Sequence, residues 1–189
     1  MANSNFIVHN GITVGLTAID AASGNVTVTT GYIMPSANVA SSIGTSSSRW
    51  NYIYGAYGNF LSVNANYADV AEKYAADADY EPGTVVHFGG PAEVSQCDMD
   101  MCSKVAGVIS TNPAYMMNDT LEAEHAVAVA LLGRVPCKVQ GPVSKGDMMV
   151  SAGNGRARAE ANPKVGSVIG KALENSEGDA VIEVVVGKH

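Results

Sequence analysis

Charge is nearly absent from the first third of this chain. Up to Ala68 only Asp20 and Arg49 are charged, whereas residues 69–189 hold 17 of the 18 acidic and 10 of the 11 basic side chains. So abrupt a change of composition divides the chain into an N-terminal segment, 1–68, and a C-terminal module, 69–189. In the first segment Ser, Thr, Asn and Gly fill 31 of 68 positions, a bias that taken alone reads as a polar linker. Periodicity argues for strands instead. Ile12, Val14 and Leu16 alternate with Thr13, Gly15 and Thr17, and Val26 and Val28 alternate with Thr27 and Thr29, the period of two of half-buried strands. Ala22-Ser23-Gly24-Asn25 between them has the chemistry of a tight turn. The spacing predicts a β-hairpin.

A two-stranded hairpin is marginal in water, and this one has few large apolar side chains to bury. Its unpaired edges and thin apolar stripe are best covered by identical copies of the chain, so self-association is expected, with an unstructured arm as the alternative. Next comes the serine-rich stretch Ile43-Gly44-Thr45-Ser46-Ser47-Ser48, which delivers Arg49 and the only tryptophan. Trp50, Tyr52 and Tyr54 alternate, so as a strand this piece would carry an aromatic face, interior or interfacial rather than solvated. With Arg49 its one flanking basic residue, it is not expected to be a base-stacking surface.

The C-terminal module reads as all-β. Glu81-Pro82-Gly83 has the residues of a turn that launches a strand. Short β-branched or apolar runs follow at 105–110, 126–132, 135–139, 148–150, 165–169 and 180–186, bounded by Gly, Pro or Asn. The runs at 126–132 and 180–186 are the most apolar and are expected in the core, although the alanines of the former would also permit a short helix. Turn residues at Gly133, Gly141-Pro142, Lys145-Gly146-Asp147, Gly153-Asn154-Gly155 and Gly178-Asp179 recur at the spacing of a small barrel or sandwich. Asp69-Val70-Ala71-Glu72-Lys73, at the head of the module, reads as a short helix capped by Asp69, which would set Asp69 and Glu72 on one face.

Composition excludes several function classes. A formal charge of −7 and a pI near 4.9 leave little counterion-release energy for gripping phosphates, so nucleic acid is not expected as a partner. No run reaches the ~18 apolar residues of a membrane helix, and Met1 to Phe6 lacks a basic, then apolar, signal pattern. Cys97, Cys102 and Cys137 are too few for a disulfide scaffold and fit synthesis in a reducing compartment. Cys97 and Cys102 with His87 and Cys137 make only a faint zinc pattern, because structural zinc wants four ligands and usually tighter cysteine pairs. His9, His87, His125 and His189 sit in no nucleophile motif, and no Gly-x-Ser-x-Gly elbow occurs. No metal, cofactor or catalytic residue is assigned.

The module nonetheless carries a recognisable set of motifs. Ala68-Asp69-Val70-Ala71-Glu72-Lys73-Tyr74, Tyr80-Glu81-Pro82-Gly83-Thr84-Val85-Val86 and the run from Val105 through Asn112-Pro113-Ala114-Tyr115 resemble the C-terminal domain of many bacteriophage tail-fibre and virion structural proteins. Gly133-Arg134-Val135-Pro136-Cys137-Lys138-Val139, Val143-Ser144-Lys145-Gly146-Asp147, Ile169-Gly170-Lys171-Ala172-Leu173 and Ile182-Glu183-Val184-Val185-Val186-Gly187 match in the same order. The likeness covers about two thirds of the chain, and the serine-rich 43–55 stretch resembles what precedes such domains in fibres. It implies a β-barrel or sandwich module behind an extended, fibre-like β-hairpin segment, in an intertwined homotrimer. It further implies a virion protein made in the host cytoplasm: a short tail fibre, fibre tip or baseplate-attached spike docked on other tail or baseplate proteins through its N-terminal segment.

The resembling group is related more distantly to the self-cleaving intramolecular-chaperone domain of phage neck appendages. Onto its opening motif map Ala68, Asp69, Val70, Ala71 and Glu72, with Val70 where the motif has an aromatic residue. Cleavage there needs a nucleophile, a base and an oxyanion donor. Ala68 offers no hydroxyl or thiol before the Ala68–Asp69 bond, and Asp69, Glu72 and Lys73 read as a cap and two solvated charges, so no cleavage is expected. Two further alternatives stay open: a receptor-binding module whose loop Tyr115, Met116, Met117 and Asn118 recognises host-surface glycans, and a capsid decoration protein of the same fold.

Overall fold

A computed structural model describes Pro35, Ala37, Asn38 and residues 42–187. The hairpin expected over 12–29 lies outside the described residues. The chain divides into two compact units, Met1–Asn59 and Phe60–His189.

In the first unit the serine-rich stretch forms a turn. The Ser48 carbonyl accepts from the Thr45 N–H (2.9 Å), and the Thr45 hydroxyl accepts from the Ser48 N–H (3.0 Å). The chain then runs without regular structure. Tyr52 and Tyr54 do share a side, their rings stacked with centroids 5.7 Å apart. Trp50, Tyr52 and Tyr54 are exposed and belong to no strand, so the expected strand is not formed and its aromatic side chains are not interior: among the described residues no backbone group pairs with this segment.

The second unit has ten strands and, among the described residues, no helix: β1 (Asp69–Ala75), β2 (Val85–Phe88), β3 (Val94–Gln96), β4 (Val105–Ile109), β5 (Tyr115–Met117), β6 (Ala126–Val139), β7 (Met148–Gly153), β8 (Arg156–Ala159), β9 (Val168–Ala172) and β10 (Ala180–Val186). The all-β class expected from the sequence is the class observed. The long strand β6 organises it. Its C-terminal half pairs antiparallel with β10, from Gly133 opposite Val186 to Val139 opposite Ala180. From there β10 pairs with β9, β9 with β7, β7 with β8, and β8 returns to β6 at Val139 and Ala157. That circuit closes a five-stranded barrel. The N-terminal half of β6 instead joins β1 on one side and β4 on the other, and β2 and β3 extend the sheet beyond β4.

Side chains alternating inward fill the barrel: Val135, Cys137 and Val139 from β6, Met149 from β7, Ile169 from β9, and Ile182, Val184 and Val186 from β10. Each such aliphatic side chain taken from water contributes about 1.5–3 kcal/mol of transfer free energy. A second cluster, Val86, Val94, Ile109, Val127 and Val129, lies under the open part of the sheet. The two runs read as separate strands, 126–132 and 135–139, are one continuous strand, because Gly133 at φ 104° takes a backbone conformation open to glycine and lets the strand bend without breaking. The run at 165–169 begins its strand only at Val168. Before it, the Ser167 N–H donates to the Lys164 carbonyl in a turn that leaves Val165 exposed.

Turn chemistry was well marked. Asn154 and Gly155 both have positive φ (52° and 65°), as a two-residue hairpin connection of the primed type requires, and they join β7 to β8. The Thr84 N–H donates to the Glu81 carbonyl (3.2 Å) across Pro82-Gly83, and β2 follows. The expected helix at 69–73 is a strand. Ala, Glu and Lys favour helix locally, but pairing on both edges, antiparallel to β6 and parallel to β5, outweighs a propensity of a few tenths of a kcal/mol per residue.

Candidate functional site

The head of β1 meets the bend of β6, and there the module has a cleft of about 330 Å³ lined by Tyr67, Ala68, Asp69, Ser110, Arg134 and Glu183, among others. Gly133 brings the two backbones together. A β-carbon on it would collide with the Ala68 carbonyl oxygen, and that oxygen accepts from the Arg134 N–H at 3.1 Å. Asp69 is thereby buried, only 4% exposed. Its carboxylate accepts a hydrogen bond from the Ser110 hydroxyl at 2.6 Å, and its own carbonyl accepts from the Ala114 N–H at 2.8 Å. Ser110, also buried, ends the apolar run of β4, and its N–H donates to the Ala128 carbonyl. At the cleft wall Arg134 and Glu183 approach to 3.9 Å, both partly exposed, a pairing of little energetic weight.

The three residues of the motif that opens the module are not brought together. In a strand, side chains alternate, so Asp69 and Ala71 point inward while Glu72 takes the other face; the shared helical face is corrected. Nor is Asp69 a helix cap. Glu72 accepts from the Tyr74 hydroxyl at 2.8 Å, and burial together with that carboxylate pushes the Tyr74 phenol up to about 12. The Lys73 ammonium donates to the Asp119 carboxylate and carbonyl, both at 2.8 Å. Glu72 and Lys73 are thus partnered and half-buried rather than solvated. Around the Ala68–Asp69 peptide the structure supplies one buried carboxylate with a serine hydroxyl already donating to it, and the peptide oxygen held by a strand amide. Ser110 and Arg134 were missed by sequence reasoning. The only signal for Ser110 was its place at the end of an apolar run.

The expected receptor-facing loop is mostly a strand. Tyr115, Met116 and Met117 form β5 beside β1, with Met116 and Met117 half-buried. Tyr115 is 63% exposed. Asn118, at φ 53°, donates from its side-chain amide to the Lys73 carbonyl at 3.0 Å. The segment is tied to β1 at both ends, and only the Tyr115 ring projects.

The three cysteines are buried and unpaired in the barrel core. Burial pushes the Cys137 thiol up to about 12. Among the described residues no group of three or more His, Cys, Asp or Glu side chains is gathered to hold a metal.

A different kind of surface precedes β1. Across residues 50–67 the large apolar side chains are exposed: Trp50, Tyr52, Ile53, Tyr54, Tyr57, Phe60, Leu61, Val63 and Tyr67, with Tyr57 and Leu61 as open as in an extended peptide (99% and 103%). Among the described residues the backbone of 49–67 makes no hydrogen bond to other backbone groups.

The fold defined here, a closed five-stranded barrel continued by an open antiparallel layer, has a counterpart among solved structures. The chain's fold resembles part of the pre-mature bacteriophage phi29 gene product 12, with a TM-score of 0.53 and 14% identity over 69% of this chain and 23% of that one. The head fibre gp8.5 N base of bacteriophage phi29 aligns more loosely, with a TM-score of 0.40 and 11% identity over 62% of this chain and 92% of that one. The chain spans about a quarter of the length of gene product 12, and at this identity the likeness is one of fold. No family model and no curated protein matches the sequence.

Proposed function

We propose that this chain is a structural protein of a bacteriophage virion: a short tail fibre, fibre tip or baseplate-attached spike that assembles as a homotrimer. The observation that carries the reading is the exposed stretch 50–67, which joins many large apolar side chains to a backbone that has no backbone partner among the described residues. A monomer that leaves such a surface in water forgoes about 25 cal/mol for each Å² of apolar area. Burial against identical copies recovers that energy and satisfies the backbone at once, and the near absence of charge removes the repulsion that like charges at a symmetric contact would bring. The fold shared with a phage protein and the motif resemblance support a virion as the setting.

The reading is non-catalytic, and it is supported by the engagement of Asp69, Glu72 and Lys73 each with a different partner. Recognition of host-surface glycans is the second reading, favoured by the projecting Tyr115 ring alone.

Light scattering of the intact protein tests the assembly: the expected mass is three times the 19.5 kDa chain, and a monomer at micromolar concentration would overturn the proposal. Intact-mass measurement of the same sample tests the absence of catalysis, a fragment ending at Ala68 being the contrary result.

A further inference from the structure

Two of the three buried cysteines converge on one anchor. Cys97 follows β3 and is held on both sides of its backbone: its N–H donates to the Val85 carbonyl and its carbonyl accepts from the Gly155 N–H, each at 3.0 Å. Cys102 closes the loop that begins there, and its N–H donates to the Ser151 hydroxyl at 2.8 Å. That hydroxyl donates to the Met99 carbonyl at 2.9 Å, and the same carbonyl accepts from the Cys97 thiol at 3.7 Å. Met101, at φ 48°, turns the chain back, with its N–H on the Ser151 carbonyl at 2.9 Å. The Met99 carbonyl and the Ser151 hydroxyl thus link the Cys97 thiol to the backbone of Cys102 through three successive hydrogen bonds. Asp98, Met99 and Asp100 between them are exposed, so a small reagent needs to lift only a short surface loop to reach the sulfurs. Cys137 is apart from this arrangement, its thiol turned to the Lys138 carbonyl at 3.6 Å.

We propose that Cys97 and Cys102 are a latent disulfide, formed when the protein meets a small-molecule disulfide and reversed by a small-molecule thiol. In the first step the Cys102 thiol loses its proton to solvent and its thiolate attacks one sulfur of the reagent. The reagent's S–S bond breaks and its other half leaves as a thiolate. In the second, Cys97 loses its proton and attacks the Cys102 sulfur of the mixed disulfide, expelling the remaining half. Two protein thiols are oxidised, one reagent disulfide is reduced to two thiols, and the two protons released end on those thiols. Burial pushes the Cys97 thiol up, so the second step waits on local opening of the loop and is slow at neutral pH. Once closed, the bond fixes the loop that carries Asp100, whose carboxylate accepts from the Arg158 guanidinium of β8 at 2.7 and 3.0 Å. A particle leaving a reducing cytoplasm for an oxidising exterior would tighten this end of its barrel after assembly.

The test treats the intact protein with excess oxidised glutathione at mildly alkaline pH, then counts thiols after denaturation and maps the linked peptides. The expected result is a fall from three free thiols to one, an intact mass lower by about 2 Da with no retained glutathione, and a Cys97–Cys102 peptide that dithiothreitol reverses. Cys137→Ala should behave the same way, with two thiols falling to none. Cys97→Ser should stop at a stable glutathione adduct on Cys102; if that variant does not fold, the wild-type peptide map and Cys137→Ala decide. Three free thiols persisting in mild urea, a stable wild-type adduct, or a bond to Cys137 would overturn the inference.

Discussion

The stretch 50–67 and the barrel both carry large apolar side chains and treat them in opposite ways. In the barrel, Val135, Val139, Met149, Val150 and Val184 are wholly buried; in the stretch, Tyr57, Phe60, Leu61 and Val63 stand in solvent. The two regions also differ in backbone partners. Each barrel strand has a neighbour on both edges from its own chain, whereas residues 49–67 have no backbone neighbour among the described residues. An apolar pattern buries itself only when its own backbone is also paired.

The sharpest way to break that contrast is to delete residues 1–66. The expected outcome is a monomer by light scattering that keeps the β-sheet circular dichroism and thermal transition of the module, since both hydrophobic clusters are made from residues after 70. Loss of the fold would show that the stretch supports the barrel directly. Inside the barrel, Met149→Ala should cost about 2–5 kcal/mol in urea unfolding, because Met149 is fully enclosed and a cavity remains; Trp50→Ser should leave the module's own unfolding unchanged while weakening the oligomer. Gly133→Ala should cost about 1–3 kcal/mol, since φ 104° strains any side chain and the added methyl meets the Ala68 carbonyl. Ser110→Ala leaves the buried Asp69 carboxylate without its hydroxyl donor and should cost about 1–3 kcal/mol. The smallest effect belongs to Asp100. Arg158 holds its carboxyl below the usual carboxylate range, so it adds stability above the unfolded pKa and loses it as pH falls through the folded one. Because that side chain is half exposed, Asp100→Asn should change stability near neutral pH by under about 1 kcal/mol and flatten the acid limb of the pH–stability curve.

Much of the barrel was legible because its signals are local. The apolar runs at 105–110 and 180–186 coincide with β4 and β10 to within a residue, and Asn154-Gly155 and Glu81-Pro82-Gly83 are turns whose chemistry is written in two or three residues. What escaped depends on distant partners. Nothing in Asp69-Val70-Ala71-Glu72-Lys73 announces that both edges will be paired, so helix propensity misled there. Tyr115-Met116-Met117 is too short to read as a strand until β1 lies beside it, and Arg156-Ala157-Arg158-Ala159 looks polar although Ala157 is enclosed in the barrel. The cleft was the least legible feature: Ser110 reaches Asp69 across 41 positions, a contact that only β-sheet topology creates.

The continuity of β6 has a consequence for how this unit comes apart. Its fourteen residues serve, before Gly133, as the spine of the open layer and, from Gly133 on, as a stave of the barrel. Neither half can fray without pulling register from the other, so heat should melt the module in one sharp step, and amides on both sides of the bend should exchange with deuterium at matching rates.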